Sequence, residues 1–153
     1  MTNAIIEVKN INKSFADNHV LRNFSMEVKP GENLVILGKS GSGKSVLIKC
    51  IINLMSPDDG SIKVFGEDIS ELDQDALDKL RARIGFLFQS NALYDSMTVR
   101  ENLEFPLRRH WGKEQRKKGA EVAVMEALED VGLAHTVDMM PAELSGGMRK
   151  RIA

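Results

Sequence analysis

The sequence predicts an α/β protein with a mixed β core that includes an antiparallel β subdomain, followed by an α-helical subdomain. Alternating apolar residues before Val28 indicate two antiparallel strands. A continuous apolar run at 34–37 leads through a glycine-rich loop into a helix. After residue 98, apolar residues recur with helical spacing. We place the boundary after residue 91, which gives domains 1–91 and 92–153.

The expected elements follow from these local patterns. The first is a pair of antiparallel strands between Ile5 and Val28. The apolar runs Leu34–Leu37 and Ile84–Phe88 are typical of strands covered on both faces. The others, in chain order, are a helix at 44–55, a short strand at 62–65, a helical face at 72–80, and helices at 98–108 and 113–131, the last capped by Gly132.

Composition excludes several classes of function. The 153 residues carry a net charge of -1, which gives no global reason to expect nucleic acid as a partner. Cys50 is the only cysteine, so no internal disulfide can form, and the N-terminus shows no signal peptide. The apolar runs fall far below the ~18 residues of a spanning helix. We therefore expect a cytoplasmic protein that serves any membrane from outside the lipid.

Residues 38–45 match the phosphate-loop pattern G-x-x-x-x-G-K-[ST]. Glycines let backbone N–H groups turn toward phosphates, and the following helix N-terminus adds a partial positive charge. The lysine reaches the β- and γ-phosphates, and the last hydroxyl ligates Mg²⁺. A plain Gly-Ser turn is the alternative, which the flanking strand and helix disfavour. The residues are Gly38, Lys39, Ser40, Gly41, Ser42, Gly43, Lys44 and Ser45.

A second motif, Leu144-Ser145-Gly146-Gly147-Met148, precedes a basic helix. Alone it would be an ordinary turn before a helix. A serine hydroxyl and two glycine N–H groups at a helix N-terminus can nevertheless hold an anion. The sequence thus contains two candidate anion sites about a hundred residues apart, which requires an explanation.

The ordered pair of motifs resembles the ATP-binding subunits of ABC transporters. Their order is an aromatic A-loop, Walker A, Q-loop, helical subdomain and LSGGQ signature, and the resemblance covers the whole chain. It implies a P-loop NTPase fold of ABC type. It also implies that Phe15 stacks on adenine, although an isolated phenylalanine would more often lie in a core. Gln89, otherwise an ordinary polar residue at a strand end, becomes the Q-loop residue.

The resemblance also implies cofactors, partners and roles. The cofactors are ATP and Mg²⁺, with Ser45 and Gln89 at the metal. The catalytic residues would be Lys44, Gln89 and Ser145. Ser145, Gly146 and Gly147 would contact the γ-phosphate held by the opposite protomer of a homodimer. An integral-membrane permease would dock near Gln89 and the helical subdomain, on the inner face of the cell membrane.

Three sequence features relate the chain to one branch of this family. Met148 replaces the usual glutamine of the signature. Together with the segments 88–99 and 105–108, it is similar to the Mla/Ttg2/Mce-associated branch, whose members power lipid traffic between bacterial membranes. The branch implies that the transported substrate is a phospholipid or a related lipid.

Some alternatives stay open at this point. In the family, a strand ending in Asp-Glu follows the signature helix, and it is expected beyond Ala153, so the chain is expected to be truncated and inactive alone. One rival is an importer or exporter ATPase for another substrate. A second is a non-catalytic nucleotide-binding module that is natively short. A third is a DNA-maintenance ATPase, which the lack of sustained heptads disfavours.

Weaker candidates have simpler explanations. The pairs Asp58-Asp59 and Glu67-Asp68 could suggest a metal site, but each lies beside glycine and is typical of turns. The basic segment 108–118 could touch lipid head groups, although a solvated helix connection explains it more simply. We assign neither pair of carboxylates to a metal.

Overall fold

The computed structural model describes residues 4–88 and 90–153, apart from the side chains of residues 109, 110 and 116–118. The chain forms two compact units, one ending at Gly85 and one running from Phe86 to Ala153. The predicted division into domains 1–91 and 92–153 stays a prediction.

The described residues of the first unit contain a four-stranded antiparallel sheet. Its strands are β1 (Ile6–Phe15), β2 (Asn18–Val28), β3 (Asp59–Val64) and β4 (Glu67–Asp68), in the spatial order β2-β1-β3-β4. The same unit contains the helices α1 (Lys44–Ile51) and α2 (Gln74–Arg81). The antiparallel pair, the short strand and both helices confirm the sequence pattern.

The core of the first unit joins α1 to the sheet. Leu47 and Cys50 of α1 are buried in one apolar cluster with Val8 and Ile11 of β1. Burial of each valine, leucine or isoleucine side chain in this cluster stabilises the fold by about 1.5–3 kcal/mol relative to its exposed form. The helix ends earlier than the predicted 44–55 because Asn53 adopts φ +51, a left-handed conformation that cannot continue an α-helix.

Two strand predictions, Leu34–Leu37 and Ile84–Phe88, are not met. Neither segment pairs with another strand in the part of the chain that the structure describes. An apolar strand covered on both faces needs neighbours for its N–H and C=O groups and for its side chains. Without them the first segment stays open to solvent, with Val35 74% and Leu37 87% exposed.

The second unit is helical, as predicted. It contains α3 (Val99–His110), α4 (Lys113–Asp130), single 3₁₀ turns at Ala134–Thr136 and Pro141–Glu143, and α5 (Gly146–Ile152). Thr98 caps α3 through a reciprocal pair of hydrogen bonds with Glu101. Gly132 follows α4 with φ +70, which confirms the predicted cap. No helix among the described residues is long and apolar enough to cross a bilayer.

Candidate functional site

The loop at 38–43 leads into α1 and depends on its glycines. Gly43 has φ +89, in the region that favours glycine. A Cβ on Gly43 would lie 2.8 Å from Val20 Cγ1 and 3.0 Å from Val20 O. A Cβ on Gly38 would lie 2.5 Å from Ser42 Oγ. The contact of the loop with β2 therefore leaves no room for a larger residue at Gly43, whereas at Gly38 the Ser42 side chain would have to move.

Lys44, the first residue of α1, turns its ammonium back into this loop. Its Nζ donates to the carbonyl oxygens of Gly38, at 2.7 Å, and of Lys39, at 2.8 Å. The positive end of the helix dipole lies at the same place. The remaining loop residues are solvent-exposed: Ser40, Gly41, Ser42 and the Ser45 of the next position. The chemistry of this group fits a triphosphate, with the Ser45 hydroxyl available to Mg²⁺.

Phe15 and the phosphate loop lie at the same end of the sheet. A Cβ on Gly43 would meet Val20 and Leu21 of β2, and Leu21 pairs with Lys13 of β1, two residues before Phe15. The Phe15 side chain is 45% exposed, so it is not a core residue, which was the simpler interpretation of an isolated phenylalanine. The stacking of this ring on a nucleobase stays a prediction.

A contact that the sequence did not suggest secures this end of β1. The Asp58 carboxylate accepts from Lys13 Nζ at 2.6 Å and from the Ser14 N–H at 2.7 Å. The hydrogen bond from Lys13, and then that from Ser14, holds the pKa of Asp58 below its ordinary value. Among the described residues no cluster of three His, Cys, Asp or Glu could hold a metal ion. The two hydrogen bonds from Lys13 and Ser14 make Asp58 an anchor of β1, a role that neither the turn nor the metal interpretation included.

The signature segment lies at the start of α5. Ser145 is its N-cap, and the Ser145 Oγ accepts from the Met148 N–H at 3.2 Å. The Arg149 guanidinium donates to the carbonyl oxygens of Pro141 and Leu144, at 3.2 and 3.0 Å. Ser145, Gly146 and Gly147 are exposed. Their contact with a nucleotide stays a prediction, as does the role of Gln89, which lies outside the described residues.

Comparison with known proteins decides the family. Residues 21–153 match the family model described as ABC transporter. The chain belongs to the ABC transporter family. Its fold class is confirmed by solved ABC cassettes: the dimeric MJ0796 cassette has a TM-score of 0.81 and 32% identity, over 96% of this chain and 66% of that one. CbiO1 from Clostridium perfringens has a TM-score of 0.79 and 29% identity, over 98% and 59%.

Curated relatives of this ABC chain carry two different names. It is 43% identical to the probable ribonucleotide transport ATP-binding protein mkl of Mycobacterium leprae, over 95% of the chain and 42% of the relative. It is 40% identical to the methionine import ATP-binding protein MetN of Clostridium tetani, over 97% and 46%. The chain thus spans less than half the length of these two relatives.

Proposed function

We propose that this ABC chain binds Mg²⁺ and ATP at its phosphate loop and that the complete protein is the ATPase subunit of a transporter. The observation that carries this proposal is the Lys44 ammonium held inside the loop, 2.7 and 2.8 Å from two of its carbonyl oxygens. Phe15, exposed at the same end of the sheet, supports a nucleoside rather than a bare phosphate as the ligand. A second solved structure of the MJ0796 cassette, in a post-hydrolysis state bound to ADP and Pi, supports the same ligand class.

According to this proposal, residues 1–153 supply only part of the groups needed for ATP hydrolysis. The loop N–H groups and Lys44 hold the phosphates, and Ser45 and Gln89 are assigned to Mg²⁺. Mg²⁺ would neutralise charge on the phosphates when bound. We assign no residue of 1–153 to polarising the attacking water. The apolar segments at 34–37 and 84–88, which pair with no strand among the described residues, would gain neighbouring strands in the complete protein.

We assign Ser145, Gly146 and Gly147 to the phosphates bound by a second protomer. The dimeric MJ0796 cassette supports the dimer itself. Closure of the dimer on ATP and opening after hydrolysis would move a permease that docks near Gln89 and the helical subdomain, on the cytoplasmic face of the membrane. The candidate permease contacts are Tyr94, Arg100, Glu101 and Phe105. The exposed rings of Tyr94 and Phe105 lie 5.0 Å apart.

Disulfide cross-linking tests the dimer. A Ser145→Cys protomer and a Ser40→Cys protomer should form an intermolecular disulfide when Mg²⁺ and ATP are present. The native Cys50 should not interfere, because it is fully buried and burial raises the pKa of its thiol. A Ser56→Cys protomer, exposed outside the loop, is the matched control for Ser40→Cys. Equal cross-linking of both pairs, or none with Ser40→Cys, would contradict the arrangement.

For the substrate we propose a phospholipid or a related lipid. Met148 and the segments 88–99 and 105–108 support it through their likeness to the lipid-transport branch. The names of the relatives indicate ribonucleotide and methionine instead, so the substrate must be measured. The test measures how far phospholipid, a ribonucleotide and methionine each stimulate the ATPase activity of the complete transporter. Stimulation by phospholipid is expected, and stimulation only by the ribonucleotide or only by methionine would refute the lipid proposal.

The DNA-maintenance alternative is disfavoured. In that class a long coiled coil separates the phosphate loop from the signature. Here the helices between the two motifs have 8, 12 and 18 residues in the described part of the chain, too short for such a coil. The transporter interpretation is therefore the one that the structure favours.

A further inference from the structure

Among the described residues, the last part of β1 has a neighbouring strand on one side only. β1 and β3 pair from Ile6 with Val64 as far as Asn12 with Asp59. Lys13, Ser14 and Phe15 continue β1 beyond that ladder, with β2 on their other side only. The backbone of a strand end held on one side alone frays easily. Phe15, the proposed adenine contact, is the last residue of this strand.

Asp58 takes the place of the absent strand. Its backbone N–H donates to the Asn12 carbonyl oxygen at 2.8 Å. Its carboxylate accepts from the Ser14 N–H at 2.7 Å through one oxygen and from Lys13 Nζ at 2.6 Å through the other. One residue thus anchors three consecutive residues of β1, and a charge-assisted hydrogen bond of this length is among the stronger kinds.

The same carboxylate fixes the cation beside the aromatic ring. Lys13 and Phe15 are two residues apart on a strand and so share one face. The Lys13 ammonium lies 5.8 Å from the centroid of the Phe15 ring, within the range of a cation–π contact. The Lys13 side chain is only 16% exposed, so Asp58 holds a partly shielded charge rather than a freely solvated one.

We propose that Asp58 and Lys13 form a clamp that positions the Phe15 ring for stacking on the base of the bound nucleotide. This inference rests on the proposed function, because it names residues that support the adenine contact of that site. Asp58 and Lys13 are positioning residues: they act on the nucleotide through the ring and do not touch the phosphates. The clamp should therefore change the affinity for ATP and leave the affinity for inorganic triphosphate alone.

Calorimetric titration of the complete protein with Mg·ATP and with Mg·triphosphate separates these effects. Asp58→Asn keeps the shape of the Asp58 side chain and removes its charge. Lys13→Met keeps most of the length of the Lys13 side chain and removes the ammonium. A stacked base contributes a factor of about 5 to 150 in affinity, so loosening the ring should weaken ATP binding by about three- to tenfold. Triphosphate affinity should stay within about twofold of the wild type. Lys13→Arg should retain most of the ATP affinity.

Asp59→Asn is the matched control. It removes the same charge from the neighbouring exposed residue, and its ATP affinity should equal that of the wild type. In a Phe15→Ala background, Asp58→Asn should cause no further loss of ATP affinity. The clamp is refuted if Asp58→Asn binds ATP as tightly as Asp59→Asn does. It is also refuted if Asp58→Asn lowers the affinity for ATP and the affinity for triphosphate by the same factor. Failure of the proposed function looks different: the wild type would then bind neither probe.

Discussion

Lys44→Ala is expected to lower ATP turnover of the complete protein by two orders of magnitude or more. The Lys44 ammonium already lies in the curve of the phosphate loop, on the carbonyl oxygens of Gly38 and Lys39. Removing one preorganised donor from the site of developing charge costs about 10²–10³ in rate. ATP binding should weaken in the same variant, because the same ammonium contacts the phosphates before the reaction.

The control for this prediction is Lys49→Ala. Lys49 lies in the last turn of the same helix, is exposed and carries the same charge. Steady-state ATPase assays of both variants, with unfolding midpoints to show that each is folded, separate the loop contact from a general charge effect. Near-wild-type turnover by a folded Lys44→Ala protein would overturn the assignment of the phosphate loop.

Gly60→Ala is expected to cost the largest amount of stability among single methyl additions in the first unit. Gly60 lies at the start of β3 with φ +90. A Cβ there would lie 2.5 Å from the Lys9 carbonyl oxygen and 2.7 Å from the Asn10 carbonyl carbon. Both are backbone atoms of β1, so relief requires the two strands to separate. We expect the free energy of unfolding to fall by about 3 kcal/mol or more, because steric overlap with β1 adds to the usual cost of an alanine in the left-handed conformation.

Gly66→Ala separates these two contributions. Gly66 has a similar φ of +85, but a Cβ there would meet nothing within 4 Å. Its replacement should therefore cost only about 1–2 kcal/mol, the conformational part. Denaturant unfolding of both variants measures the difference. Equal losses would show that the approach of β1 to Gly60 carries no energetic weight.

Local patterns were enough to predict most elements of this chain. The phosphate loop, the capped helix at Thr98 and the glycine cap at Gly132 each depend on residues within one turn of each other. Alternation of apolar residues was enough for β1 and β2. These features could be recognised because their physical causes lie inside a short stretch of sequence.

Features that depend on distant contacts could not be predicted. The runs at 34–37 and 84–88 have the composition of buried strands, but a strand forms only where a neighbour pairs with it. Asp58 lies in a segment whose residues are typical of a turn. Its partners Lys13 and Ser14 are 45 and 44 residues away along the chain, so no local pattern shows the contact. The early end of α1 at Ile51 is a different case, because it is local: it depends on the left-handed conformation of Asn53, which the apolar pattern does not show.

The central claim is that phosphates bind in the loop at 38–43. Backbone amide NMR of the complete protein, labelled with ¹⁵N at glycine alone, tests it directly as Mg·ATP is added. The account predicts large, saturable shifts at Gly38, Gly41 and Gly43, and none at Gly66, an exposed glycine elsewhere in the same unit. Saturable binding of Mg·ATP that leaves the three loop glycines unshifted would contradict it.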